Sequence, residues 1–184
     1  MTLREGKTRV YMLLDEHSAG GVVEHDPDIE AKLNYFFDIA QKEVAKIQKL
    51  RRTRRIKPRE GGEVSLPADC MELCRVWADD RPVRRFQLRG GKLLLPPGAA
   101  GKELVLEYDA VPETIGADTP DDYEFELRED GCNCLPYYVA AQQLLPDLVM
   151  DYGAMLSMYQ YSLSTLSEGR SGPCGAVTQS LFRG

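Results

Sequence analysis

The spacing of apolar residues changes twice along this 184-residue chain, and that change constrains its fold more than any other feature. Residues 28–50 and 147–166 each carry an apolar stripe with steps of three and four, which is typical of a helix with one buried face. Residues 56–111 instead contain short runs of Val, Leu and aromatic residues between turn-forming Gly, Pro and Asp. Because a helical period does not fit a strand, the sequence predicts two helical regions that flank a β region.

The first stripe predicts a long helix over 28–50, preceded by a shorter helix over 4–17. Asp26 is a candidate N-cap for the long helix, and Pro27 suits its first turn. The apolar positions of this helix are Ile29, Leu33, Phe36, Phe37, Ala40, Val44 and Ile47.

The second stripe predicts a closing helix over 147–166. Pro136 is tolerated in the first turn of the helix that precedes it, "LPYYVAAQQLL", whereas Pro146 cannot continue that helix without a break. We expect the closing helix and the long helix to bury their stripes against each other. The apolar positions of the closing helix are Leu148, Tyr152, Met155, Leu156, Tyr159, Leu163 and Leu166.

Five strands are predicted in the middle of the chain, over 63–66, 73–78, 84–88, 92–95 and 103–109. The segment "RGGK" forms a hairpin turn in which either glycine can supply a positive φ. Trp77 stands beside Val76 on one of these strands, and we expect it to anchor the small sheet.

These elements predict an α+β, mainly α fold. We expect a helical bundle with a small antiparallel β module inserted between the long second helix and the C-terminal helices. The predicted domains are a discontinuous helical domain over 1–55 and 112–168, the β module over 56–111, and a flexible tail over 169–184. The tail is small and polar enough to be mobile.

Charge is strongly segregated along the sequence. The stretch "KIQKLRRTRRIKPR" over 46–59 contains eight Lys and Arg and no carboxylate, although the chain has a net charge of −6. Without this stretch the rest of the chain has a net charge of −14. Such a stretch can bind nucleic acid, bind an acidic partner, or form a solvated arm.

The sequence also indicates the compartment. No apolar run approaches the length of a membrane span, and the N-terminus lacks the apolar block of a secretory signal. Five cysteines are an odd number in a chain large enough to fold without disulfides, which favours reduced thiols. We therefore expect a soluble cytosolic product.

No catalytic motif is apparent in the sequence. The Cys70/Cys74 and Cys132/Cys134 pairs lack the two tight knuckles of a structural zinc site. "PPGAAGKE" departs from the phosphate-binding loop pattern, His17 and His25 each stand alone, and no serine has nucleophile-elbow flanks. We expect no enzymatic activity, cofactor or metal, and a metal-dependent enzyme is the least favoured alternative.

Several short motifs carry a family resemblance. "LPADC" over 66–70 opens the β region, "Y-x3-P" over 108–112 closes it, and "DTPDD" over 118–122 precedes "LPYYVAAQQLLPD" over 135–147. With the order helix, long helix, β insertion and closing helices, the chain resembles the head-tail connector or neck adaptor proteins of tailed bacteriophages and prophages. The resemblance covers about residues 4–166.

The resemblance implies a structural virion protein without catalytic activity. Such proteins assemble as a ring beneath the portal, often a dodecamer, through which the genome DNA passes. The implied partners are further copies of the chain, the portal protein and other neck or tail-completion proteins, with no membrane. The implied location is the virion neck, after the host cytoplasm before assembly.

The two main hypotheses use different residues. A connector is expected to use the β module as an assembly surface that includes Trp77, Arg89, Lys92 and Lys102. The rival is a nucleic-acid-binding module that uses the basic stretch. We expect the basic side chains to be exposed and to contact DNA or an acidic partner: Arg51, Arg52, Arg54, Arg55 and Lys57.

Overall fold

The computed structural model describes residues 1–14, 27–58, 63–99, 101–144 and 151–166. These residues form two units. The helical unit comprises Met1–Gln48 and the chain over 112–166, and the β unit comprises Lys49–Val111. Four features considered above lie outside the described residues, namely Asp26, both histidines, the break at Pro146, and the tail over 169–184.

The described part of the helical unit contains four helices of ten or more residues and one short helix. All five helices contribute to one core, because residues from each end of the unit share one apolar cluster. Their bounds are α1 Leu3–Leu13, α2 Pro27–Gln48, α3 Glu129–Cys132, α4 Leu135–Leu144 and α5 Asp151–Thr165.

Helix α1 has a well-defined start. The Thr2 hydroxyl accepts a hydrogen bond from Glu5 N, and the Glu5 carboxylate accepts one from Thr2 N, which completes a capping box. The segment around Tyr123 also pairs with this end of the helix, since Leu3 N donates to Tyr123 O at 2.8 Å. The start of the chain is thereby tied to a segment more than a hundred residues away.

Helix α4 lies at the centre of the helical unit and packs against α1, α2 and α5. The apolar stripes of α2 and α5, which were expected to pack against each other, both enter the same apolar cluster, with Phe37 and Tyr159 among its buried residues. Val139 and Ala140 of α4 are fully buried, so α4 supplies the surface on which the neighbouring helices pack. Tyr159 of α5 does reach α2, where its hydroxyl donates to Glu43 Oε2 at 2.9 Å.

A row of buried polar side chains on α2 holds the chain that returns from the β unit. Asn34 Nδ2 donates to Gly116 O at 2.9 Å, and Asp38 Oδ1 accepts from Ile115 N at 3.0 Å. Gln41 Nε2 donates to Glu113 O at 2.7 Å. These residues are spaced by four and three, so one face of the helix satisfies the backbone of a segment without secondary structure.

The β unit contains seven strands in two antiparallel sheets among the described residues. The four-stranded sheet has the order β1-β7-β3-β4, and the three-stranded sheet has the order β2-β6-β5. The strand bounds are β1 Leu50–Ile56, β2 Glu63–Ser65, β3 Cys70–Ala78, β4 Arg81–Pro82, β5 Gln87–Arg89, β6 Lys92–Leu94 and β7 Leu104–Ala110.

The two sheets share one apolar cluster. Leu104 and Leu106 of β7 are fully buried, as is Leu93 of β6. Alternate residues of a strand point to the same face, so every second residue of β7 enters this cluster. Trp77 lies on the opposite face of β3, across from Val105, and is not part of the cluster. Its expected role as the anchor of the small sheet is therefore wrong.

The prediction of a mainly helical bundle is also wrong. Within the described residues the structure contains about 43% helix and 26% strand. The five predicted strands overlap β2, β3, β5, β6 and β7, but the sequence did not predict β1 or β4.

Strand β1 escaped prediction because of its composition. "LRRTRRI" contains four arginines, which are good helix formers, and only its two end residues are apolar. It follows the long helix without an intervening proline or glycine, and Lys49 makes the transition with a positive φ of 56°. Pairing with β7 along its whole length makes this segment a strand.

We predict that Gln41→Leu destabilises the helical unit. The substitution keeps the side-chain size but leaves the Glu113 carbonyl and the Tyr123 hydroxyl, which donates to Gln41 Oε1 at 3.2 Å, without this partner. Only the longer hydrogen bond from the Tyr123 hydroxyl to Glu113 O, at 3.4 Å, then remains. The loss of a buried polar partner costs about 1–3 kcal/mol in the free energy of unfolding. Urea denaturation followed by far-UV circular dichroism measures this loss.

The control Gln160→Leu, at an exposed position of α5, should change the free energy of unfolding by less than about 0.5 kcal/mol. Equal effects of the two substitutions contradict the prediction.

Candidate functional site

The charge of the chain divides between the two units. The β unit, Lys49–Val111, has 14 Lys and Arg against nine Asp and Glu, a net charge of +5. The remaining residues have nine against 20, a net charge of −11. The basic stretch singled out in the sequence is therefore one part of a cationic unit in an acidic chain.

Strand β1 presents its arginines on both faces of the sheet. It is an edge strand that pairs only with β7 among the described strands. Arg51 and Arg55 stand on one face, and Arg52 and Arg54 stand on the other together with the partly buried Leu50. The register to β7 determines which of these arginines meet carboxylates.

Arg51 is neutralised within the sheet. Its Nε donates to Asp109 Oδ1 at 2.7 Å, and its Nη1 donates to Glu107 Oε1 at 2.5 Å. Burial lowers the pKa of Arg51, but the hydrogen bonds to Asp109 and Glu107 raise it by more, so the pKa lies above its ordinary value. The Asp109 side chain is only 2% exposed, and this pair therefore serves the fold of the strand.

Arg52 is engaged on the opposite face. Its Nη1 donates to Asp69 Oδ2 at 2.6 Å, and the Tyr108 hydroxyl donates to the same carboxylate at 3.2 Å. Burial raises the pKa of Asp69, but the hydrogen bonds from Arg52 and Tyr108 contribute to a larger lowering. The carboxylate therefore stays charged beside Arg52, and the expectation that Arg51 and Arg52 are exposed is wrong for both.

Three of the five basic residues remain available to a partner. Arg54, Arg55 and Lys57 are exposed, and none of them makes a hydrogen bond or ion pair with a described residue. Four more arginines of the β unit have the same property, namely Arg81, Arg84, Arg85 and Arg89. Only three exposed carboxylates of the described β unit are likewise without a partner, namely Glu72, Asp80 and Glu103.

The four residues expected in an assembly surface lie in different places. Arg89 and Lys92 are register partners across the β5–β6 hairpin, whose turn glycines have positive φ values of 55° and 72°. Lys92 pairs with Glu63 at 3.0 Å, and Lys102 pairs with Asp79 at 3.5 Å. Trp77 is half-buried on β3. The structure thus brings Arg89 and Lys92 together and places Trp77 on the other sheet.

A cleft of about 860 Å³ lies beside Trp77 within the β unit. Its walls come from β3, from the chain that follows β4, and from the end of β6. The sequence did not predict this cleft. "VRRF" over 83–86, in which two arginines precede an aromatic residue, is the local signal that could have indicated it. Its lining includes Arg75, Trp77, Arg84, Arg85 and Phe86.

The described cysteines are free thiols that lie in both units. Cys70 and Cys74 are in the β unit, and Cys132 and Cys134 are buried in the helical unit. Burial raises the pKa of Cys134 to about 11, which disfavours the reactive thiolate. Within the described residues, no three metal-ligating side chains form a group that could hold an ion.

Comparison with known proteins adds no assignment. No protein-family model and no curated protein matches this chain. In the part of the chain that the structure describes, no helix combines the length and apolarity that a bilayer span requires.

We predict that Arg51→Met destabilises the β unit by roughly 3 kcal/mol, because it leaves the buried Asp109 carboxylate without its cation. Chemical denaturation followed by the fluorescence of Trp77, the single tryptophan of the chain, reports on this unit. The control Arg54→Met, on the same strand but exposed, should shift the free energy of unfolding by less than about 0.5 kcal/mol. A wild-type midpoint for Arg51→Met is incompatible with the structural role given to this pair.

Proposed function

We propose that this protein is a structural subunit of a tailed-phage or prophage virion, a head-tail connector that joins the DNA-filled head to the tail. The motifs and element order that resemble neck adaptor proteins support this proposal. The subunit works through contacts with further copies of itself and with the portal, and it catalyses no reaction.

One observation carries the proposal: the two units have net charges of opposite sign. A ring forms when one surface of a subunit binds a different surface of the next, around a rotation that closes. A β unit of +5 and a remainder of −11 favour such a head-to-tail contact between copies over a contact between like surfaces. Closure of the ring makes the last contact effectively intramolecular, so individually weak contacts suffice.

We predict that deleting the gene yields DNA-filled heads and separate tails that do not join. Electron microscopy of lysates shows these particles directly. Wild-type protein supplied in trans should restore joined particles, whereas Arg54→Glu/Arg55→Glu should restore far fewer, because it reverses the charge of the exposed basic edge of the β unit.

Arg4→Glu is the control for this complementation. Arg4 is exposed on the acidic helical unit and its side chain forms no ion pair with a described residue, so its reversal should leave joining intact. Complete, infectious particles from the deletion would rule out the connector function, and so would a failure to form heads at all.

Duplex DNA binding is the second candidate function. It is favoured by the exposed edge strand, because Arg54 and Arg55 on this strand and Lys57 just after it form no hydrogen bond or ion pair with described residues. Arginine on an edge strand also discourages unwanted strand pairing, so this arrangement has a purely protective use as well. The salt dependence of binding separates the two uses, since only phosphate contact releases counterions.

For this candidate we predict that Arg54→Gln/Arg55→Gln makes the plot of log affinity against log salt less steep. The magnitude of its negative slope should fall by about 1.8, because each phosphate contact contributes about 0.9. Fluorescence anisotropy with a labelled duplex measures the slope. Arg84→Gln/Arg85→Gln removes the same charge from another part of the β unit and should leave the slope unchanged. Absence of binding at low salt eliminates this function.

A further inference from the structure

We infer that the cleft of the β unit is a binding site for an extended acidic segment of a partner protein, in which Asp or Glu alternates with aromatic or aliphatic residues. The inference concerns a site other than the basic edge strand and holds whether or not the protein is a connector. It rests on the shape of the cleft, on the charge of its rim and on the apolar character of its walls.

Two of the three arginines at the cleft form no ion pair with a described carboxylate. Arg75, Arg84 and Arg85 line it, and no Asp or Glu is among its lining residues. Arg84 and Arg85 are exposed and make no ion pair with a described residue. In the same unit, Arg51 and Arg52 are both paired with carboxylates. A guanidinium group binds a carboxylate through two parallel hydrogen bonds, so this rim suits an anionic ligand.

The walls of the cleft require an apolar component in the same ligand. Trp77 and Phe86 are half-buried and border it, together with Leu94 and Leu95 at the end of β6. Trp77 lies outside the apolar cluster of the unit, so its ring is not needed to fill that core. Aromatic rings that border a cleft are typical binding groups for apolar side chains, and aromatic residues and arginine are enriched in protein interfaces.

Size distinguishes an acidic peptide from duplex DNA. A cleft of about 860 Å³ falls within the range of sites that enclose small ligands or a few side chains. A duplex presents phosphates to a basic surface, and phosphates supply no apolar group for Trp77 and Phe86. An extended peptide presents successive side chains to opposite sides, so acidic residues can meet the rim while apolar residues enter the cleft.

Charge also argues against the end of this chain as the occupant. Residues 167–184 contain one carboxylate side chain, Glu168, and two arginines. A segment of that composition does not complement a rim that carries the guanidinium groups of Arg84 and Arg85. The site therefore fits a segment of a separate, acidic protein.

Trp77 provides a direct measurement, because the chain has a single tryptophan. The probe is a synthetic peptide, acetyl-Glu-Phe-Glu-Leu-Glu-Phe-amide, titrated into the full-length protein at low salt. We expect a saturable change in Trp77 emission and an affinity about tenfold or more above that of the same peptide with Gln in place of Glu.

Two double variants test which arginines are responsible. Arg84→Gln/Arg85→Gln should weaken peptide binding about tenfold or more, while Arg54→Gln/Arg55→Gln, which removes the same charge from the edge strand, should not. Arg84 and Arg85 make no ion pair with a described residue, so neither variant should shift the urea midpoint followed by Trp77. A shifted midpoint contradicts the assignment of these arginines to binding.

The other outcomes overturn the inference. Equal affinity for the Glu and Gln peptides means that the arginines recognise no anion. Equal losses in the two double variants mean a general charge effect without a site. A short DNA duplex that changes Trp77 emission and displaces the peptide assigns the cleft to nucleic acid. No change with either probe means that the cleft is not a binding site.

Discussion

The pair of Arg51 with Asp109 is the interaction on which the surface of the β unit depends. Asp109 is buried on β7, and a buried carboxylate requires a partner. Arg51 meets it only if Leu50–Ile56 is a strand in register with β7. That register also directs Arg52 to Asp69 and leaves Arg54 and Arg55 without carboxylates. The strand register that buries Asp109 against Arg51 thus determines which arginines are structural and which are available to a partner.

Hydrogen bonds from polar side chains of α2 organise the helical unit. Its two chain segments are separated by the whole β unit, and the returning segment over 112–123 has no helix or strand with which to satisfy its backbone. Asn34, Asp38 and Gln41 on α2 supply these hydrogen bonds from within a helix. Burial raises the pKa of Tyr123 to about 12, so its hydroxyl stays protonated and donates to Gln41. The polar side chains of α2 therefore hold the returning segment, while its apolar stripe packs in the core.

The proposed functions follow from how the chain distributes charge. Exposed arginines are concentrated on one unit, while most carboxylates lie outside it. At the edge strand the cations are open to solvent and suit a long, flat polyanion or an acidic protein face. At the cleft they adjoin Trp77 and Phe86. A ligand there therefore needs apolar groups as well as negative charge. The two places therefore differ in the ligands that they favour.

The sequence by itself determined the helices, most of the strands and the segregation of charge, because these depend on local spacing and composition. Apolar steps of three and four identified α2 and α5, and turn residues delimited β5 and β6. Only the tertiary structure decided that "LRRTRRI" is a strand, that Arg51 is structural and that α4 packs against α1, α2 and α5. It alone placed Arg84 and Arg85 beside Trp77. Each of these outcomes depends on a partner that is distant in sequence, such as Asp109 for Arg51. No local pattern encodes which distant residue will neutralise a charge or cover an apolar side chain.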